Sequence, residues 1–179
     1  GQKCTATRRI IAVGDVHDEL VDRLAVAVTA LKVGDGQDPA TAIGPLVSAG
    51  ARTEVVEAID QARAEGAETV AITEGVPDGP CYQAPTLFVG GTDLTITREE
   101  VFGPVSTVLH VDTEDEAFAL ANDTEFGLSA SVFTNDMWTI DRAVHELRAG
   151  LIKVNGPTTG SEIHAPFGGE KNSSGHSAR

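Results

Sequence analysis

A chain of 179 residues, 41% of them hydrophobic, is long enough to bury an ordinary core in one domain. Its formal net charge of −14 argues against nucleic acid and anionic membranes as partners. The chain shows neither a signal-peptide pattern nor an apolar run of bilayer length, so we expect no membrane partner and a cytoplasmic location. Because the two cysteines and five histidines are scattered, we expect a reducing compartment and no metal site.

The first part of the chain alternates between strand and helix patterns. Arg8–Val13 is a short apolar run, which predicts a strand. Apolar residues then recur at helical spacing as far as about Leu31, with Asp15 or Asp18 as the N-cap. A second helix is predicted over about Ala49–Glu65 by the same spacing.

The alternation continues along the rest of the chain. Thr113 followed by Glu116 is a capping-box pattern, which predicts a helix over Thr113–Asn122. The other predicted elements are a helix over about Asp136–Leu147 and strands at Glu68–Thr73, Thr86–Val89, Val105–Val111, Leu128–Phe133 and Leu151–Asn155. Glycine, serine, threonine and proline are frequent from Gly156 onward, so that segment is predicted to be loop. The alternation predicts an α/β fold with a mostly parallel sheet flanked by helices.

Three strings contain residues suited to chemistry, and the first surrounds Cys4. It reads Gly-Gln-Lys-Cys-Thr-Ala-Thr-Arg-Arg from Gly1, so the cysteine is followed by small side chains that leave its sulfur approachable. A thiolate is a strong nucleophile, provided that a base, a cation or a helix N-terminus raises its population at neutral pH. On its own, this cysteine need have no catalytic role.

The second string is Glu-Glu-Val-Phe-Gly-Pro-Val, from Glu99 to Val105. One interpretation is a solvated acidic turn in which Gly-Pro leads into a strand. The other is a binding site, because a carboxylate can accept hydrogen bonds from a ribose diol while an aromatic side chain packs beside a ring.

The third string runs from Gly150 to Gly175. It contains Gly-Leu-Ile-Lys-Val-Asn at 150–155, Pro-Thr-Thr-Gly at 157–160 and Pro-Phe-Gly-Gly-Glu-Lys-Asn-Ser-Ser-Gly at 166–175. Without the other two strings, its composition would indicate a flexible glycine-rich tail.

Together, and in this order, the strings resemble the aldehyde dehydrogenase superfamily. Its members have the motifs G-Q-x-C, E-E-x-F-G-P-V, G-x-x-x-V-N and P-F-G-G-x-K-x-S-G, and the resemblance covers essentially the whole chain. It implies that residues 1–179 are the cysteine-bearing catalytic domain and that the cofactor is NAD or NADP. It also implies that the nucleotide-binding domain lies upstream of Gly1 and that the C-terminal oligomerisation strand lies beyond Arg179.

The resemblance also implies a role for each site residue. Cys4 would be the nucleophile, Glu100 the ribose-binding carboxylate and Phe102 the aromatic that packs in the cofactor site. Asn155 would order the backbone of the active site. Residues of the loop that follows it, together with a nearby aromatic, would line the aldehyde tunnel: Gly156, Pro157, Thr158, Thr159, Ser161 and Phe167.

Within the superfamily, the chain most resembles the α-ketoglutaric semialdehyde dehydrogenase group, on the strings at 4–7, 155–160 and 166–169. The aldehyde oxidised by that group carries a carboxylate at its far end. Such a substrate requires polar partners at the tunnel mouth, where Thr158, Thr159 and Ser161 could supply hydroxyls and Arg8 or Arg9 a cation.

Two functions are open at this stage. The chain is either the catalytic domain of an NAD(P)-dependent aldehyde dehydrogenase, inactive by itself, or a non-catalytic structural or interaction module that is stable only with a partner chain. A homo-oligomer is expected, because apolar surface that faces the remainder of the enzyme would otherwise be exposed. The sequence does not distinguish NAD from NADP.

Overall fold

The computed structural model describes residues 1–161 and 163–173. These residues form two compact units. The first unit comprises Gly1–Gln2 and Arg8–Asp112, and the second comprises Lys3–Thr7 and the described residues from Thr113 onward.

The first unit is built on a four-stranded sheet. Its elements are β1 (Arg9–Val13), α1 (Val16–Thr29), α2 (Ala49–Ala64), β2 (Glu68–Ile72), β3 (Thr86–Val89), α3 (Thr95–Arg98) and β4 (Val105–Val111). The strand order is β1-β4-β3-β2. β4 pairs in parallel with both β1 and β3, whereas β2 is antiparallel to β3. The predicted α/β fold with a mostly parallel sheet and flanking helices is therefore confirmed.

Helices cover both faces of this sheet. Successive side chains of a strand point to opposite faces, and β3 shows this with Leu87 and Phe88, which are 1% and 0% exposed. Leu87 belongs to the apolar cluster that α1 packs against, and Phe88 to the cluster that includes Val55 and Ile59 of α2. The central strand is consequently buried on both sides, as expected of a parallel sheet with crossover helices.

The second unit contains two helices and two short strand pairs. Its elements are α4 (Glu114–Asn122), β5 (Phe126–Gly127), β6 (Ser129–Val132), α5 (Met137–Glu146), β7 (Leu151–Val154) and β8 (Glu170–Lys171). β6 pairs in parallel with β7, and β5 pairs antiparallel with β8. The predicted capping box is present at the start of α4, where Thr113 and Glu116 bond reciprocally.

Three details differ from the sequence prediction. Neither Asp15 nor Asp18 caps α1 as predicted: Asp15 is at the N-cap position, but its backbone is already helical and its side chain makes no capping hydrogen bond. The predicted strand Leu128–Phe133 is shorter than expected, because only Ser129–Val132 pairs with β7. The short elements α3, β5 and β8 were not predicted, since two to four residues are too few to show periodicity.

Candidate active site

Cys4 lies in a tight turn of the second unit. The N–H of Ala6 donates to the carbonyl oxygen of Lys3 at 2.9 Å, which closes the turn around Cys4 and Thr5. Cys4 is exposed and carries a free thiol, whereas Thr5 is only 4% exposed. The turn therefore presents the sulfur to solvent while the following residue is buried.

The hydroxyl of Thr158 joins the predicted substrate loop to this cysteine turn. It lies 2.7 Å from the carbonyl oxygen of Thr5 and 2.8 Å from Oγ1 of Thr7. A threonine hydroxyl has one hydrogen to donate, and a carbonyl oxygen can only accept. Thr158 therefore donates to Thr5, and the Thr7 hydroxyl donates to Thr158.

The rest of the loop is fixed through its backbone carbonyl groups. Ser131 Oγ donates to the Gly156 carbonyl at 2.6 Å, and Ser129 Oγ donates to the Thr158 carbonyl at 3.0 Å. The ammonium group of Lys153 donates to the carbonyls of Thr159, at 2.8 Å, and of Gly160. These bonds argue against a flexible glycine-rich tail over residues 156–160.

The three anchoring side chains lie on one face of the β6–β7 pair. Ser129 and Ser131 are two residues apart on β6, and the parallel register places Ser131 opposite Lys153 of β7. We did not identify them from the sequence. The alternation of serines at 129 and 131 was the available signal, but the partner of each serine is a loop carbonyl that only the folded structure reveals.

Asn155 orders the backbone immediately before the loop. Its side-chain Oδ1 accepts from the N–H of Thr134, and its Nδ2 donates to the Thr134 carbonyl, both at 2.9 Å. Its φ of 52° lies in the left-handed region, which asparagine tolerates better than most residues. The amide thus joins the ends of β6 and β7 where the loop leaves the strand pair.

The remaining loop residues are largely accessible. Pro157 and Ser161 are exposed, and Phe167 is 49% exposed. The backbone at Gly168, the residue after Phe167, lies close to that at Gly150. A Cβ placed on Gly150 would overlap the carbonyl oxygen of Gly168. A side chain at position 150 would therefore separate the two motifs that flank the loop.

The predicted cofactor residues lie in the first unit around Arg8. A terminal nitrogen of Arg8 is 2.7 Å from Oε1 of Glu100, and its Nε donates to the Val101 carbonyl at 3.1 Å. Its guanidinium carbon is 5.4 Å from the centre of the Phe102 ring, a cation–π distance. Arg8, predicted to bind a substrate carboxylate, is thus paired with a protein carboxylate. Arg9, the other candidate cation, is the first residue of β1.

A surface cleft of about 630 Å³ in the second unit is separate from all predicted site residues. It lies between α4 and α5 and includes Arg142, which is paired with Asp115 and Glu146 at 2.8 Å and stacked on Phe118 at 4.5 Å. Hydrogen bonding to Glu146 raises the pKa of Arg142 above its ordinary value. The charge of Arg142 is therefore balanced by neighbouring carboxylates.

Two further observations concern metal ions and membranes. Across residues 1–161 and 163–173, no group of three or more histidine, cysteine, aspartate or glutamate side chains is arranged to hold a metal ion. Within the same part of the chain, no helix has the length and apolar character needed to cross a membrane.

Comparison with known proteins decides the family. The model of the aldehyde dehydrogenase family matches residues 1–179. The chain belongs to the aldehyde dehydrogenase family. It is 45% identical to an alpha-ketoglutarate semialdehyde dehydrogenase of Haloferax volcanii, over the whole chain and 38% of that protein. It is also 42% identical to a betaine aldehyde dehydrogenase of Cereibacter sphaeroides, over 96% of the chain and 35% of that protein.

Solved structures of aldehyde dehydrogenases have the same fold. The Mycobacterium tuberculosis enzyme complexed with NAD+ superposes with a TM-score of 0.89 at 39% identity, over 97% of this chain and 36% of that one. A Bacillus cereus aldehyde dehydrogenase variant superposes with a TM-score of 0.91 at 34% identity, over 96% and 35% of the two chains. This aldehyde dehydrogenase chain thus spans little more than a third of the relatives that it matches.

Proposed function

We propose that this chain is the cysteine-bearing part of an NAD(P)-dependent aldehyde dehydrogenase that oxidises a small aldehyde to its acid. The observation that carries the proposal is the pair of hydrogen bonds at the Thr158 hydroxyl, one donated to Thr5 and one accepted from Thr7. They join the loop predicted to line the aldehyde tunnel directly to the turn that presents Cys4. Family membership supplies the reaction class, and this contact supports the assignment of Cys4 and the loop to one site.

Cys4 is proposed to act as the nucleophile. Its thiolate adds to the aldehyde carbon, which gives a thiohemiacetal whose oxyanion the Cys4 backbone N–H can stabilise. Loss of hydride from that carbon leaves a thioester on the sulfur, and hydrolysis of the thioester releases the acid and restores the thiol. The exposed sulfur and small neighbouring side chains leave room for this addition.

NAD or NADP is the proposed cofactor, and when bound it accepts the hydride. Glu100 and Phe102 fit the nicotinamide ribose, because the carboxylate is about one third exposed and the ring is 43% exposed. Oε1 of Glu100 is paired with Arg8, and a carboxylate has enough lone pairs to accept a sugar hydroxyl as well.

The substrate is proposed to be a carboxylate-bearing semialdehyde, such as α-ketoglutaric semialdehyde. Lys153 supports this, because its ammonium group contacts the loop and donates there to the backbone carbonyls of Thr159 and Gly160. An amide carbonyl does not neutralise a cation as a carboxylate does, so this charge can attract an anionic substrate. A quaternary ammonium aldehyde would require an aromatic cage, whereas the residues proposed to line the tunnel include a single aromatic, Phe167.

Because residues 1–179 span little more than a third of the relatives, we propose that other segments of the whole enzyme complete the site. The nucleotide-binding sheet, the general-base glutamate and the side-chain amide of the oxyanion site are assigned to the remainder of the protein. We therefore expect the isolated chain to be inactive, because positioning can account for roughly 7–11 kcal/mol of barrier reduction. A cytoplasmic homo-oligomer is the proposed form, consistent with two free cysteines and with exposed Phe133 and Trp138.

Replacement of each cysteine in the complete enzyme tests the proposal. Cys4→Ser should abolish aldehyde-dependent NAD(P)H formation, whereas Cys81→Ser should retain most of it. Iodoacetamide near neutral pH should also modify Cys4 much faster than Cys81. Turnover in Cys4→Ser, or equal reactivity of Cys4 and Cys81 with iodoacetamide, would instead favour the alternative that this chain is a non-catalytic structural or interaction module.

A further inference from the structure

Arg8 makes contacts with three successive residues of the proposed cofactor segment. It forms an ion pair with Glu100, a hydrogen bond to the Val101 carbonyl and a cation–π contact with Phe102. The two residues assigned to the ribose and the ring are thus held by one guanidinium group.

The position of Arg8 is itself fixed. Its carbonyl oxygen accepts a hydrogen bond at 2.8 Å from the N–H of Thr107 in β4, and β1 begins at the next residue. Its side chain is 21% exposed, compared with 77% for Arg23 in an ion pair on α1. Because its side chain is partly buried and its backbone is anchored, Arg8 loses less conformational entropy on pairing with Glu100 than an exposed arginine would.

The geometry also selects one of two adjacent carboxylates. Glu99 and Glu100 are neighbours in sequence, and the ion pair with Arg8 is made by Glu100, whose Oε1 lies 2.7 Å from the guanidinium. Nε of the planar guanidinium donates to the Val101 carbonyl, which fixes the direction of the group while a terminal nitrogen forms the ion pair with Glu100. The ammonium group of a lysine would supply the charge without this fixed direction.

We infer that Arg8 is a positioning residue for the cofactor site. It holds the Glu100 carboxylate and the Phe102 ring in the arrangement that receives the nicotinamide ribose. This inference rests on the proposed function of Glu100. It also means that the charge of Arg8 is neutralised by Glu100, so recognition of a substrate carboxylate falls to another cation.

Steady-state kinetics of the complete enzyme can test this role. The variants are Arg8→Gln, Arg8→Lys, Glu100→Gln and the double variant, with Arg23→Gln as a control that removes an exposed arginine from an ion pair. Arg8→Gln should raise the KM for NAD(P) about tenfold and leave the KM for the aldehyde within about twofold. Arg8→Lys should restore part of the loss, and Arg23→Gln should behave as the wild type.

The double variant separates positioning from general destabilisation. If Arg8 acts through Glu100, the double variant should have the same KM for NAD(P) as Glu100→Gln alone, because no carboxylate remains to be positioned. Thermal denaturation of each variant identifies any effect that arises from misfolding. If Arg8→Gln is misfolded, the kinetics of Arg8→Lys are compared with those of the wild type instead.

The possible failures are distinguishable. If Glu100→Gln leaves the KM for NAD(P) unchanged, the proposed ribose role of Glu100 is wrong, and the role of Arg8 is wrong with it. If Glu100→Gln raises that KM but Arg8→Gln does not, only the inference about Arg8 is overturned. An equal rise in the KM values for both substrates in Arg8→Gln would indicate a structural role and would also overturn it.

Discussion

The hydroxyl of Thr158 donates a hydrogen bond of 2.7 Å to the carbonyl oxygen of Thr5, a residue 153 positions earlier in the chain. Thr5 directly follows the proposed nucleophile, so this bond helps to set the backbone of the cysteine turn. A loop proposed to choose the substrate therefore also supports the residue proposed to attack it.

The first prediction concerns this bond. Thr158→Val keeps the shape of the side chain but removes the hydroxyl, and with it the hydrogen bonds to the Thr5 carbonyl and the Thr7 hydroxyl. Loss of a part-buried hydrogen bond costs about 1 kcal/mol or more. We expect kcat/KM for the aldehyde to fall about tenfold in steady-state assays of the complete enzyme.

Thr158→Ser and Thr159→Val are the matched controls. Serine keeps the hydroxyl, and Thr159→Val keeps the backbone carbonyl that Lys153 bonds. Both should retain most of the activity. If Thr159→Val were as damaging as Thr158→Val, the loss could not be assigned to the Thr158 hydroxyl.

The second prediction concerns the charge of Lys153. Lys153→Met removes the cation and the two bonds to loop carbonyls, whereas Lys153→Arg keeps the positive charge. We expect kcat/KM for a carboxylate-bearing semialdehyde to fall at least tenfold in Lys153→Met, because a charge-assisted contact contributes about 1.5–3 kcal/mol. An unbranched alkanal of equal length should lose much less.

Kinetics with both aldehydes in each variant provide the check. In the wild type, the semialdehyde should be preferred over the alkanal, and Lys153→Arg should retain that preference. A uniform loss for both aldehydes in Lys153→Met would show that Lys153 supports the loop without selecting the substrate.

The third prediction concerns the backbone at Asn155. Alanine removes two hydrogen bonds to Thr134 and places a less tolerant residue at a φ of 52°. Glycine removes the same bonds without the conformational cost. Because these bonds are exposed, we expect the free energy of unfolding to fall by about 2 kcal/mol in Asn155→Ala and about 1 kcal/mol in Asn155→Gly.

Urea denaturation of the complete enzyme can measure both changes. Asn122→Ala is the matched comparison. It also removes an exposed side-chain amide, which bonds backbone groups of Glu146 and Arg148, but Asn122 has no left-handed φ. Equal stability of Asn155→Ala and Asn155→Gly would contradict the backbone explanation.

The fourth prediction concerns acid stability. Hydrogen bonds from the N–H and hydroxyl of Thr139 lower the pKa of the Asp136 carboxyl, which caps α5. A carboxyl whose pKa is lowered by folding contributes stability that is complete above its unfolded pKa of about 4. That stability is lost as the pH falls through the lower folded pKa.

The stability difference between wild type and Asp136→Asn should therefore shrink as the pH falls below about 4. Denaturation midpoints at a series of pH values from neutral to acid would show this. Asp22→Asn, on the exposed part of α1, controls for the loss of one negative charge. A difference that stays constant with pH would contradict the prediction.

The main elements could be predicted from the sequence because their signals are local. The seven residues of β4 match the predicted range Val105–Val111, and the capping box at Thr113 depends on residues only three positions apart. Asp15 was harder to interpret, since the residue type favours a cap but the backbone dihedrals determine whether the side chain can reach the helix.

The candidate site was less accessible to sequence reasoning because its contacts span long sequence separations. The motifs indicated Cys4, Glu100 and the loop, but not which residues hold them. Arg8 was predicted to serve the substrate because its charge is visible in the sequence, whereas its ion pair with Glu100 depends on how β1 and β4 are paired. Ser131 and Lys153 were missed for a similar reason, since their partners are backbone carbonyls.

The close approach of Gly150 to Gly168 could allow substrate specificity to diverge through changes in the loop between them. These two residues bring together the chain on either side of the loop, and β8 follows directly after Gly169. Exposed segments whose ends are held by a rigid scaffold tolerate exchange and insertion. The carbonyl anchors described above hold the backbone at 156–160, so exchanges or insertions after Ser161 could alter the loop while the cysteine turn keeps its support.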